Sequence, residues 1–335
     1  MSLIVDFYHH YNDSKTMQTF ITNLFQLLLF GLFISCKHSP RAENTEGGAT
    51  EGALQKDSIT LPNLYSDTII VPYNVEIKKY FRFTDSLVKA YIPSVAYPLT
   101  EHLLVRTNNW LIDSLVETDY YKRKARGEMV FDQKKLIILK KGDTLYIPSK
   151  YLADSIIKQQ QSTWIDINIP EFKLRIVSGS DTLFKFPIRV GQNKQRYLAT
   201  IDKAVSLRTK TGVGEISGYY FKDFYINPVD DKKFTQTRRD DNQMTMMPFL
   251  PWIEPTINGE CWGQLIHATT NENTLGKAYS NGCMGTREGD IWRIYYYAPI
   301  GTKVVIRYNL RLIENGDTLL LKHIYSDKTF KKESF

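Results

Sequence analysis

A mostly β protein, preceded by a small mixed α/β segment, is the fold class the sequence predicts. Three observations predict it. From about Trp164 the chain breaks into short runs, WIDINIPEFKLRIV, DTLFKFPIRVG, QLIHAT and GTKVVIRY, punctuated by Gly, Pro, Asn and Asp. Runs of this length rich in Val, Ile, Tyr and Thr favour half-buried strands joined by turns. Ahead of Trp164, residues 61–160 mix helix-spaced and strand-like apolar runs. With 42% hydrophobic and 13% aromatic residues among 335, the chain holds enough apolar material for a sizeable core, so disorder is not the default.

Taken in order, residues 1–35 read as a targeting signal. FITNLFQLLLFGLFIS at 20–35 is apolar but short of the roughly 20 residues a membrane-spanning helix needs. Only Lys15 is basic ahead of it, against Asp6 and Asp13, and Met17 offers a second start. Phe33-Ile34-Ser35-Cys36 resembles the signal box of bacterial lipoproteins, which implies cleavage before Cys36, lipidation of that thiol, and an exported, periplasmic, membrane-anchored protein. Acyl chains on one cysteine would anchor it by burying CH₂ groups; a plain membrane anchor or an unmodified thiol is the alternative. Residues 36–60, rich in Gly, Glu, Thr and Ser, read as a flexible tether.

Residues 61–160 read as a small α+β accessory segment. Leu103, Leu104, Trp110, Leu111 and Leu115 fall at helical spacing and read as core, and His102 as structural or surface. KKLIILKKGDTLYIP reads as a hairpin turning at Lys140-Lys141-Gly142-Asp143. Residues 161–325 form the second folded part. One helix is expected at REGDIWRIYYYA, and LRLIENGDTLLLKHIY reads as a closing hairpin about Asn315-Gly316-Asp317.

Composition excludes several function classes. The net charge of +7 (43 − 36) comes from scattered Lys and Arg, so nucleic acid is not an expected partner. Cys36, Cys261 and Cys283 make no disulfide framework and no Cys/His zinc spacing, so neither a metal nor a cofactor is expected. Cys261 reads as a small buried residue, Trp252 and Trp262 as core or cleft, and Tyr295-Tyr296-Tyr297 as core aromatics.

The chemistry concentrates in Ser280-Asn281-Gly282-Cys283-Met284-Gly285-Thr286-Arg287. A cysteine after a glycine suits a loop that backbone can approach closely. Lying ahead of the expected helix, its thiolate would feel the positive dipole end, with free N–H groups near an oxyanion. Sixteen residues upstream (283 − 267), His267 closes an apolar run and is the base such a thiol needs.

Ile266-His267-Ala268-Thr269, ten residues, then Ser280-Asn281-Gly282-Cys283 resembles the signature of the L,D-transpeptidase catalytic domain (YkuD-like). Leu275-Gly276-Lys277, Gly301-Thr302-Lys303-Val304, Met247-Pro248-Phe249 and Arg189-Val190-Gly191 match further family segments, and the resemblance spans roughly residues 160–310. It implies a β-sandwich-like catalytic domain, with Cys283 as nucleophile and His267 as base. It also implies orientation of the imidazole by the Ala268 carbonyl, oxyanion contacts from Gly282 and Cys283, and substrate contacts from Ser280, Asn281, Thr269 and Arg287. Two departures stand out. Asn281 replaces the family's second His and does not titrate. Gly285 occupies the place where the family often has Arg or Asn, leaving Arg287 to pair with a substrate carboxylate.

The activity implied is transfer of a peptidoglycan stem peptide through a Cys283 thioester with release of D-Ala. The acceptor is a second stem peptide (a 3→3 cross-link), a protein, or water in an L,D-carboxypeptidase. A non-catalytic peptidoglycan-binding lipoprotein is the competing reading. A papain-like order is disfavoured because His267 precedes Cys283.

Overall fold

The computed structural model describes residues 62–314 and 317–326. The targeting signal, the tether, Cys36 and the Asn315-Gly316 turn lie outside the described residues. The described residues form one compact unit.

The N-terminal part opens with β1 (Tyr65–Ile70) and α1 (Ile77–Tyr91). Ile77, Tyr80, Thr84 and Val88 recur every three to four residues and make the buried face of α1. Next come α2 (Glu101–Thr107), α3 (Asn109–Val116) and α4 (Tyr120–Ala125). Thr100 caps α2 by accepting from the Leu103 N–H at 3.1 Å, one of the donors a helix start leaves unpaired. Leu103, Leu104, Leu111 and Leu115 are buried as expected, but Trp110 is 38% exposed. The apolar repeat does not run through one helix: Asn108 breaks it, its side chain donating to the Leu104 and Tyr146 carbonyls, and α3 restarts with Trp110 on its outer face.

The expected hairpin at 136–148 is also corrected. The Lys140–Asp143 turn forms, with the Asp143 carboxylate accepting from the Lys140 N–H. Its arms, β2 (Ile137–Leu139) and β3 (Thr144–Pro148), pair not with each other but with Val75–Glu76 and β1. Earlier strands supply edges that bury both arms, so local pattern alone misassigned the partners.

After α5 (Lys150–Ser162) the chain becomes mostly strand: β4 (Thr163–Asn168), β5 (Lys173–Ser178), β6 (Asp181–Pro187), β7 (Val190–Gly191), β8 (Gly212–Lys222), β9 (Leu250–Ile257), β10 (Ile266–Ala268), β11 (Ala278–Ser280) and β12 (Met284–Thr286). Then follow α6 (Glu288–Tyr297), β13 (Lys303–Arg307) and the paired strands β14 (Arg311–Glu314) and β15 (Asp317–Leu320). The main mixed sheet runs β12-β10-β9-β8-β13-β4-β5-β6 and nearly closes on itself. Two of its pairings are parallel, β10 with β12 and β13 with β4.

One hydrophobic core joins both parts of the chain. Val71, Tyr80 and Leu115 pack in the same cluster as Ile165, Ile253, Ile266, Trp292 and Val304. The helix α6 is the hinge of this union. Glu101 accepts from the hydroxyls of Tyr295 and Tyr296 at 2.9 and 2.6 Å. His102 Nε2 lies 3.0 Å from the Tyr295 carbonyl, and the Arg106 guanidinium stacks 3.6 Å from the Tyr297 ring. The Asp119 carboxylate caps two helices at once, accepting from Tyr121 N–H in α4 and from Gly289 N–H in α6 at 2.9 and 2.8 Å.

Candidate active site

Parallel pairing of β10 with β12 builds the site. Ile266 lies opposite Met284, His267 opposite Gly285, and Ala268 opposite Thr286. Side chains alternate along a strand, so Cys283, two residues before Gly285, presents to the same face as His267. Ile266 and Met284 take the other face and are fully buried in the core. The apolar residues around each reactive one thus fix which way the reactive one points.

The turn carrying Cys283 is locked from within. The Ser280 hydroxyl donates to the Cys283 carbonyl at 2.6 Å and accepts from the Gly282 N–H at 3.2 Å. Gly282 has φ +114°, and a Cβ there would meet Gln264 Nε2 at 2.6 Å, so both backbone conformation and space require glycine. Thr209 donates to the Gly282 carbonyl at 2.9 Å and accepts from the Gly191 N–H. Tyr325, from the C-terminal segment, closes this brace by donating to the Gly191 carbonyl at 2.8 Å.

His267 is buried, and its Nδ1 lies 2.7 Å from the Ala268 carbonyl. A carbonyl only accepts, so Nδ1 carries the proton and Nε2 is left as the acceptor. The Trp252 ring stacks on the imidazole at 4.2 Å and 8°, and Tyr225 stacks on Trp252. Burial, with the nearby Arg189 charge, pulls the His267 pKa down to about 3, against the pull of the Ala268 hydrogen bond. Burial pushes the Cys283 thiol up, opposed by the Leu265 backbone and by Arg189. The resting pair is therefore neutral thiol and neutral imidazole. Among the described residues no hydrogen bond links the two, and Cys283 Sγ makes only a weak 3.9 Å contact with the Gly263 carbonyl.

The other expected site residues distribute unevenly. The Ala268 carbonyl meets the imidazole where expected. Gly282 N–H donates to Ser280 rather than standing open, whereas Cys283 N–H has no partner among the described residues. Ser280 and Thr269 are buried, 7% and 2% exposed, and hold turns: Thr269 bonds the Asn271 backbone. Asn281 is half-buried beside the thiol. Arg287 is engaged with Glu272 and Asp290 at 3.4 and 3.9 Å. The helix-dipole expectation for Cys283 fails, because β12 continues the chain past it and α6 starts at Glu288. Cys261, expected buried, is exposed on a short edge strand.

Sequence reasoning missed Arg189 and underrated Trp252. Arg189 is bridged to Gly285 by backbone bonds in both directions, 2.8 and 3.0 Å, and its side chain crosses Gly285. The only sequence trace was the missing side chain at 285. A cavity of about 170 Å³ is lined by Tyr220, Tyr225, Ile226, Leu265 and Trp252, the ring that stacks on His267. Among the described residues no His, Cys, Asp and Glu group is arranged to hold a metal ion.

A thiol just ahead of one strand and an imidazole on its parallel neighbour, in a mostly β domain, define the class of site. Residues 162–306 match the family model for the L,D-transpeptidase catalytic domain (YkuD). Solved structures similar to the chain include the L,D-transpeptidase (residues 123–326) of Xylanimonas cellulosilytica, at 11% identity and TM-score 0.32, with 44% of this chain and 60% of that one covered. An L,D-transpeptidase from Mycobacterium smegmatis aligns at 13% identity and TM-score 0.30, covering 44% and 58%. L,D-transpeptidase 3 of Mycobacterium tuberculosis aligns at 14% and 0.29, covering 44% and 61%. The chain thus spans about three fifths of these structures. No curated protein matches it.

Proposed function

We propose that the protein is a peptidoglycan L,D-transpeptidase working through a Cys283 thioester. The observation that carries this reading is the placement of Cys283 directly ahead of β12, the strand paired in parallel with the one that carries His267, with the imidazole held as the Nδ1–H tautomer. Cys283 Sγ attacks the carbonyl of the third stem-peptide residue while His267 Nε2 takes the thiol proton. The tetrahedral oxyanion faces the Cys283 N–H. Collapse breaks the amide bond, the proton passes from Nε2 to the departing D-Ala amine, and a thioester remains. The amine of a second stem peptide then attacks, re-forming the thiol and making a 3→3 cross-link; a protein amine or water in its place gives wall anchoring or carboxypeptidase activity. Lipid attachment at Cys36 would place this chemistry on a membrane surface, within reach of the wall.

The neutral resting pair supports an acyl-transfer role of this kind. Proton transfer is coupled to attack instead of preceding it, so the thiol stays protonated until an acyl donor fills the site. The test is intact mass of residues 54–335 after incubation with a carbapenem, for the native protein and Cys283→Ala. A single adduct, absent from the variant, is expected. No adduct on folded, reduced protein refutes the reading and favours a non-catalytic wall-binding role.

A further inference from the structure

Arg189 is a buried cation without a counter-ion, laid against the reacting face. A Cβ on Gly285 would stand 2.6 Å from Arg189 Nε, 2.8 Å from Cγ and 3.1 Å from Cδ. The arginine therefore runs flat along the glycine, between the residue opposite His267 and the one following the nucleophile turn. Two backbone hydrogen bonds to Gly285 hold its own strand in place.

Its donors are largely unused. Nε is buried and unpaired, and Nη1 has only the Thr274 hydroxyl at 3.3 Å. Among the described residues no carboxylate pairs with it, whereas the other buried arginines are matched. Arg239 pairs with Glu288, and Arg175 with Asp166 and Glu171. Arg106 bonds Gln159 and stacks on Tyr297. Burying a guanidinium without a carboxylate partner is costly; Arg106, likewise without one, is met by Gln159 and the Tyr297 ring, whereas the Arg189 guanidinium meets, among the described residues, only the Thr274 hydroxyl. Though largely buried, the residue is not fully enclosed, which leaves an edge of the guanidinium for a group bound in the cleft. Its charge reaches both reactive groups, depressing His267 and favouring the thiolate of Cys283.

A free guanidinium edge beside an acyl-transfer thiol suits a carboxylate close to the bond being broken, because the planar fork binds carboxylate through two parallel bonds. In the donor proposed above, such a group exists: the α-carboxylate of the departing residue, attached to the carbon next to the leaving nitrogen. We infer that Arg189, lying over Gly285, docks this free carboxylate and restricts donors to peptides with a single residue beyond the scissile bond. The inference rests on the transpeptidase reading. It also accounts for Gly285, since any side chain there would push the guanidinium off the site.

The test compares a stem tetrapeptide acid with its C-terminal amide. Steady-state kinetics are measured for the native chain, Arg189→Gln and Arg189→Lys, and equilibrium binding of both peptides is measured on Cys283→Ala. Native protein is expected to favour the acid by roughly 10- to 100-fold in kcat/KM, the range of a charged hydrogen bond. Arg189→Gln should abolish the acid's advantage, leaving acid and amide with equal kcat/KM, and Arg189→Lys should recover part of the preference. Equal use of acid and amide by the native protein overturns the inference. So does an Arg189→Gln loss of the same size on both, which would assign the arginine to the thiol or to the fold. Absence of turnover with either peptide refutes the transpeptidase reading instead. Binding to Cys283→Ala then decides Arg189 separately: tighter binding of the acid upholds it, and equal binding overturns it.

Discussion

A raised thiol facing a depressed imidazole has consequences that can be read at the bench. Cys283 lies above the ordinary thiol range and His267 near 3, so neither is charged between pH 5 and 8. Alkylation requires thiolate. Iodoacetamide at pH 7 should therefore modify exposed Cys261 first, with the Cys283 rate still climbing above pH 9, as followed by peptide mass spectrometry. A Cys283 rate that is flat from pH 5 upward would reveal a preformed thiolate–imidazolium pair instead. Gly285→Ala is a second test at this scale. Its backbone tolerates a side chain, but the methyl would lie 2.6 Å from Arg189 Nε. Catalytic efficiency should fall about 10- to 100-fold while the melting temperature changes little. Because both act through one guanidinium, the losses from Gly285→Ala and Arg189→Gln should not add.

Among elements, α6 decides how well the site is held, since it follows the nucleophile strand directly. Asp119 serves the first turns of both α4 and α6 and is 1% exposed. Asp119→Ala orphans three N–H groups, those of Tyr121, Lys122 and Gly289, and should cost about 2–4 kcal/mol in urea unfolding. Glu101 grips the far end of the same helix, and burial raises its pKa to about 7. A carboxyl raised on folding binds more protons in the native state between its two pKa values. Its contribution is therefore complete below about 4.5 and is lost as pH rises through about 7, roughly 3 kcal/mol at full shift. His102 and His267, both depressed, act oppositely below pH 6.5. The informative quantity is thus the native-minus-variant stability difference for Glu101→Gln, and it should move in favour of the native chain as pH falls from 8 to 5. Elements of this kind were only partly legible in the sequence. The α6 helix, the His267 strand and the closing pair of strands follow from local periodicity and turn residues, and the structure shows them. The partners of β2 and β3, the outward Trp110 and the exposed Cys261 depend on which distant edge each segment meets. The same holds for the site. Cys283 and His267 announce themselves by chemistry and spacing. Arg189 reaches Gly285 from 96 positions away (285 − 189), through a bridge no local pattern encodes, and Trp252 becomes the lid of His267 only through the register of β9 on β10.

For the whole molecule, the decisive fact is that residues 62–160 and the mostly β segment that follows share one core. A chain starting at residue 161 would expose the faces of Trp292, Tyr295 and Tyr296 that α1 to α3 cover. Such a truncation is expected to be insoluble or molten, with near-UV dichroism lost and rapid proteolysis, while residues 54–335 give a single cooperative transition. A well-folded 161–335 fragment would show instead that the first segment is an ornament.

The parallel pairing of β13 with β4 also sets a clock. Lys303 must find Trp164, 139 positions earlier (303 − 164), and until it does the middle of the sheet is missing. Loop closure over such a span is entropically uphill and slow. A nascent chain therefore waits, with its reactive thiol already made but unsheltered, for its final strands to arrive; speed of maturation is governed by the last tenth of the polypeptide.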